Sequence, residues 1–129
     1  MKKTGTTAQN PDRGEKFRRG VEQFNARKFF DAHETWEEIW LRTQEPEKTF
    51  LQGIIQVAAA YHHYCRGNTR GAKSLLQAGV EKLSRFPTEY RGLHLEALRG
   101  AALRWIAALD AGHDPGADAL PRIELDDPA

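Results

Sequence analysis

The sequence predicts an all-α fold, a single-domain antiparallel bundle of about five helices. Three observations carry that expectation. The chain has 129 residues, 40% hydrophobic and 29% charged, which supplies one core and leaves little length for a second. Apolar residues recur at intervals of three and four in five successive segments, the spacing that lines one face of a helix. No segment of any length alternates apolar with polar residues, so strands are not expected.

Residues 1–13 are polar, contain Gly5, Asn10 and Pro11, and read as a flexible leader. Lys2 and Lys3 are followed by no apolar stretch, so a signal peptide is not expected. The helical domain is placed at residues 14–111. Its first helix spans about Gly14 to Arg27, with Phe17, Val21 and Phe24 on one face. A second opens near Asp31, where Asp31 and Glu34 have the spacing of a capping box. It passes through Trp36, Ile39 and Trp40 and ends near Thr43. Pro46 suits the first turn of a third helix, because its missing N–H is not needed there. From Phe50 to Cys65 no residue carries a formal charge, which marks this helix as the buried centre of the bundle. Gly67 and Asn68 are a helix stop and a helix N-cap in succession. The fourth helix carries Ala72, Leu75, Leu76, Gly79, Leu83 and Phe86 at the helical period and ends at Pro87. The fifth runs from about Leu95 to Ala111 behind His94, a candidate cap, with Leu98, Ala102, Trp105, Ile106 and Leu109 inward. Residues 112–129 form an acidic, irregular tail in which Leu120, Ile123 and Leu125 are placed to pin it to the bundle.

Several function classes fall away on composition. Residues 1–20 carry six bases against two acids, and residues 110–129 six acids against one base, within a formal net charge of +1. A head of +4 whose first four bases have no interleaved aromatic residue gives nucleic acid neither a dense basic patch nor a stacking platform, so that partner is not expected. No apolar run reaches the ~18 residues of a membrane span. The mean hydropathy is −0.68, and a cytoplasmic location is expected. The single cysteine, Cys65, excludes an intramolecular disulfide and a cysteine-rich zinc site, and it is expected in the core. No glycine-rich phosphate loop is present.

The informative residues are polar ones where a core should lie. At about 100° per residue, His33, Trp36, Glu37 and Trp40 share one arc of the second helix. Gln52, Gln56, Ala59 and His63 share a narrower arc of the third, the most apolar helix. Two neighbouring helices on a short loop pack antiparallel and bring these stripes together. Three readings follow: a satisfied hydrogen-bond network that fixes register, a site for a divalent metal (zinc, manganese or iron) built from His33, Glu37 and His63, and a polar pocket rimmed by tryptophans. Glu37 stands where the zinc signature H-E-x-x-H needs its second histidine.

The run from Phe24 to Trp40, with Asp31-Ala32-His33-Glu34 at its centre, resembles the opening motif of the domain of unknown function 309 family. Gln52 to Ala60, His63 and Gly67 to Ala72 resemble its second block, so the likeness spans roughly residues 17–86. It implies a small, spectrin-repeat-like helical bundle in prokaryotic proteins and assigns no activity. Its pattern positions include His33, Glu34, Glu37, Trp40, Gln52, Gln56 and His63. Arg27 stands where the family usually has glycine, Asp31 where it has glutamate, and His94 where aspartate commonly begins the last helix.

The expectation is therefore a binding or structural module without an enzymatic role or cofactor, with a polar site between helices 2 and 3. The candidate residues are His33, Glu34, Trp36, Glu37, Trp40, Gln52, Gln56 and His63, and the partner is a small molecule or a protein. The alternative is a metal-dependent hydrolase with His33, Glu37 and His63 as ligands.

Overall fold

In the computed structural model the backbone is described over residues 3–126 and the side chains over residues 14–126; residues 1–2 and 127–129, the outer ends of the expected leader and tail, lie outside the described residues. The described residues form five helices: α1 (Lys3–Asn25), α2 (Phe29–Trp40), α3 (Glu47–Cys65), α4 (Thr69–Leu83) and α5 (Leu95–Asp110). A hairpin of β1 (Glu89–Tyr90) and β2 (Leu93–His94) precedes α5, and a short 3-10 turn, Ala117–Ala119, follows it. The all-α bundle is thus the architecture that the apolar periodicity predicts. The helical backbone of α1 begins at Lys3, ahead of the start near Gly14 that Phe17, Val21 and Phe24 mark.

Short connections hold the first four helices side by side in chain order. Two of the turns share one hydrogen-bond pattern. Arg27 N–H donates to Phe24 O (3.0 Å) and Lys28 N–H to Gln23 O (2.8 Å); Gly67 N–H donates to Tyr64 O (2.9 Å) and Asn68 N–H to His63 O (2.8 Å). Both are Schellman turns, which need a left-handed residue just past the helix. Gly67 takes that conformation at φ 83° and Arg27 at φ 68°. Asn68 then caps α4, its Oδ1 accepting from Gly71 N–H at 2.9 Å, as the sequence predicts.

The start of α2 differs from expectation. The helix begins at Phe29 with Lys28 at the cap position and no side-chain cap, so Asp31 and Glu34 do not form a capping pair. The Schellman turn delivers the chain directly into helix, and the buried Phe29 anchors its first residue. Asp31 remains in the first turn, where a carboxylate favours the helix dipole. At α3 an unpredicted cap appears: Glu45 accepts from the Thr49 N–H (3.0 Å) and hydroxyl (2.7 Å).

Two close approaches set the packing. Trp36 is fully buried against α1, its indole donating to Phe17 O at 3.1 Å over Gly20. A Cβ on Gly20 would lie 2.1 Å from that indole nitrogen. Gly53 of α3 meets Gly79 of α4 backbone to backbone, and a Cβ on Gly79 would lie 2.9 Å from Gly53 O. Phe24, Phe29, Tyr61 and Trp105 fill the centre, edge to face or tilted.

The link between α4 and α5 holds the strands that the sequence pattern does not show. Glu89 pairs with His94 and Tyr90 with Leu93. Arg91 (φ 56°) and Gly92 (φ 79°) make the two-residue loop, a pair of positive φ values that suits the twist of a tight hairpin. Strands of two residues are too short to show a period. The tail crosses back over this hairpin: Leu93 bridges to Leu125, and His94 N–H donates to Glu124 O at 2.9 Å. Leu120 and Ile123 are buried. The Asn25 amide donates to Ile123 O (3.0 Å) and accepts from Ile123 N–H (2.7 Å), and Trp105 donates to Ala119 O (2.9 Å). The tail is irregular in backbone, and its described part straps α1 to α5.

Candidate functional site

The antiparallel pairing of α2 with α3 brings the two polar stripes to one cavity of about 220 Å³, closed on its third side by α4. His33, Glu37 and Trp40 line it from α2, Gln52, Ile55, Gln56 and Ala59 from α3, and Leu75 from α4. Five of the eight sequence-predicted residues therefore meet there: His33, Glu37, Trp40, Gln52 and Gln56.

Three do not. Trp36 lies at the edge of its arc and turns to α1, where Gly20 makes room for the ring, so only Trp40 of the two tryptophans rims the cavity. Glu34 is exposed and is not among the lining residues. His63 sits at the last turn of α3, where the Asn68 amide donates to its Nδ1 at 3.1 Å. The levels explain this. Phe30 packs on His62 with ring centroids 5.2 Å apart, so the end of α3 faces the start of α2, while His33, one turn further on, reaches the level of Ala59. The triplet His33, Glu37 and His63 is not assembled, and among the described residues no three His, Cys, Asp or Glu side chains form a group that could hold a metal ion.

A hydrogen-bond network between the stripes is also not what forms. His33 Nδ1, Trp40 Nε1 and Gln56 Oε1 are buried and have no hydrogen-bond partner. Leaving such a group unpaired costs about 1–3 kcal/mol. The Tyr61 hydroxyl is also unpaired, but it lies in the aromatic core beside Trp105, where burial pushes its pKa far above the usual phenol value. So three of these four unpaired atoms belong to residues around one cavity.

The surroundings carry features that the sequence reading did not select. Phe30, 47% exposed, stacks on His33 at 5.9 Å and 18° and forms a lip beside it. Desolvation, and next the positive charge of Arg66, hold the His62 imidazole below its ordinary pKa. Lys48 places its ammonium 4.4 Å from the Trp40 ring centre. The i−3 position of Phe30 relative to His33 was the available signal; the Lys48 contact crosses a loop and gave none. Cys65, expected in the core, is exposed at the end of α3, because both neighbouring helices end or begin at that level. Desolvation raises its thiol pKa, so it is not an activated thiolate.

A larger cavity of about 480 Å³ lies between α1, the α2–α3 loop and the hairpin, bounded by Phe17, Ile39, Thr43, Phe50 and Arg91 among others. Its buried Thr43 hydroxyl and its Glu47–Arg91 pair have partners, and none of its described lining residues carries a buried unpaired side-chain atom. Thr43 donates to Ile39 O at 2.6 Å, and Glu47 accepts from Arg91 at 2.6 Å and from Tyr90 at 3.1 Å. Size favours this cavity; unpaired polar chemistry favours the smaller one, and recognition depends on such groups.

Comparison with known proteins bears on the smaller cavity. Residues 17–75 match the family "Domain of unknown function (DUF309)". That segment runs from Phe17 to Leu75 and contains every residue lining the smaller cavity. An uncharacterised protein of Aquifex aeolicus is 27% identical over 93 residues, which are 71% of this chain and 28% of that protein. The uncharacterised protein YpuF of Bacillus subtilis is 38% identical over 64 residues, 49% of this chain and 37% of its own. The chain thus spans about a third of the length of these relatives. No described helix is long and apolar enough to cross a membrane.

Proposed function

We propose that this chain, which carries the DUF309 domain over residues 17–75, is a binding module that takes a small polar group into the cavity between α2, α3 and α4. The observation that supports this reading is the set of unpaired buried atoms on His33, Trp40 and Gln56. A structural network would pair these groups with each other across the helices, since nearly all buried polar side chains have partners. Groups kept unpaired around one cavity suit a ligand that completes them. The cavity, about 220 Å³, is smaller than the ~300–1,000 Å³ of drug-sized sites. That size suits a fragment or a single side chain of a partner protein, and it is too small for a nucleotide or another large cofactor.

Nitrogen-15 NMR of the labelled protein tests the proposal against a panel of fragment-sized compounds of varied charge. Saturable shifts of the Trp40 indole N–H and of the Gln52 and Gln56 side-chain amides are expected with at least one compound. Glu37→Gln and Trp40→Phe, at the mouth and the wall, should weaken that compound while leaving the fold unchanged. A panel that moves none of these resonances contradicts the reading.

A further inference from the structure

The wall of the cavity narrows its ligand, on the premise that this cavity is the binding site proposed above. We infer that the group it takes is a primary carboxamide, either of a free small molecule or of an Asn or Gln side chain. The unmet bonds around the cavity have one pattern. Trp40 Nε1–H is a donor only and needs an acceptor. Gln56 Oε1 is an acceptor and needs a donor. We place the His33 proton on Nε2, which leaves the buried, unpaired Nδ1 a second acceptor in need of a second donor. A primary carboxamide presents one carbonyl and two N–H bonds in a single planar group, which is that set.

Charged groups and a secondary amide leave part of the set unmet. A carboxylate has no donor, and it would meet Glu37, the one acidic side chain among the lining residues. An ammonium or guanidinium group has no acceptor for the indole. A secondary amide has one donor for two acceptors. Apolar contacts suit the stem that carries the amide: Ile55, Ala59 and Leu75 line the same cavity. Solvent does not reach the three unpaired atoms, so the ligand enters by turning the Gln56 amide and the His33 ring, both on half-buried side chains.

The test is a titration of the full chain, followed at the Trp40 indole N–H and the Gln52 amide, with propionamide, propionate and propylammonium. Two peptides, acetyl-Ala-Gln-Ala-N-methylamide and its Glu counterpart, complete the set. Propionamide and the Gln peptide should bind at least tenfold more tightly than their charged counterparts. Gln56→Met and Trp40→Phe should each weaken the amide about three- to tenfold, the equivalent of one neutral hydrogen bond. A Gln peptide that binds more tightly than propionamide places the amide on a polypeptide, and the reverse order places it on a free molecule; both support the inference. Propionate or propylammonium binding as tightly as propionamide overturns it while leaving the cavity a binding site. If no probe moves either resonance, the inference and the binding-site reading fall together.

Discussion

Arg27 holds a left-handed backbone that glycine would hold with less strain. At φ 68° its side chain meets the steric cost that confines this region mainly to Gly and Asn. The family resemblance puts glycine at this position, and the Schellman bonds of the α1–α2 turn give the reason. Arg27→Gly is expected to stabilise the protein by up to about 1 kcal/mol, the relieved strain less the added unfolded-state entropy. Its exposed hydrogen bond to Pro121 O, at 3.2 Å, is a small loss. Urea unfolding of the two proteins measures the difference, and a loss of stability would show that the arginine contact dominates. The same scale marks what the sequence disclosed of the site. Angular spacing along two helices identified His33, Glu37, Trp40, Gln52 and Gln56, because residues on one arc face one neighbour. It misplaced Trp36 and His63, because an arc does not say which neighbour takes its edge or at what level the partner helix stands.

Elements were legible where a pattern had length. Five helices follow from apolar spacing and from Pro46, Gly67, Asn68 and Pro87, while the two-residue strands and the Glu45 cap had no repeated signal to show. Gly79 read from sequence as one more apolar position on α4. The structure gives it a specific task, the backbone crossing with Gly53. Gly79→Ala should therefore destabilise despite the better helix propensity of alanine. The new Cβ meets Gly53 O and Val57 Cγ2, both at 2.9 Å, and an overpacked contact costs about 1–3 kcal/mol against about 1 kcal/mol of propensity gained. Thermal or urea unfolding reads this directly. An increase in stability would mean that α3 and α4 separate without cost.

At the scale of the whole molecule, the tail closes the fold through pairings more than ninety residues apart, such as Asn25 with Ile123. The sequence signalled its apolar anchors, Leu120, Ile123 and Leu125, but not the backbone partners, which depend on where α1 ends. His94 contributes a pH-dependent clasp. Its Nε2 lies 2.7 Å from Asp126, and that hydrogen bond, opposed by desolvation and helped by the charges of Asp126, Glu89 and Glu124, raises its pKa. A raised histidine pKa gives stability that is fully present below the unfolded value of about 6.5 and lost as pH rises through the folded value. The stability gap between the wild type and Asp126→Asn should accordingly be full below about pH 6.5 and shrink as pH rises through the raised folded value. A gap that stays constant or widens would remove the clasp. If the cavity is the proposed binding site, its polar wall is held unpaired for a ligand and does not tie helices together. Gln56→Met keeps the length of the side chain and removes the unpaired carbonyl. The free energy of unfolding of this variant without ligand is the most direct measurement. A gain of about 1 kcal/mol is predicted, the cost of one unsatisfied buried group relieved; a loss of about 1–3 kcal/mol, as for an amide taken out of a satisfied network, would contradict it.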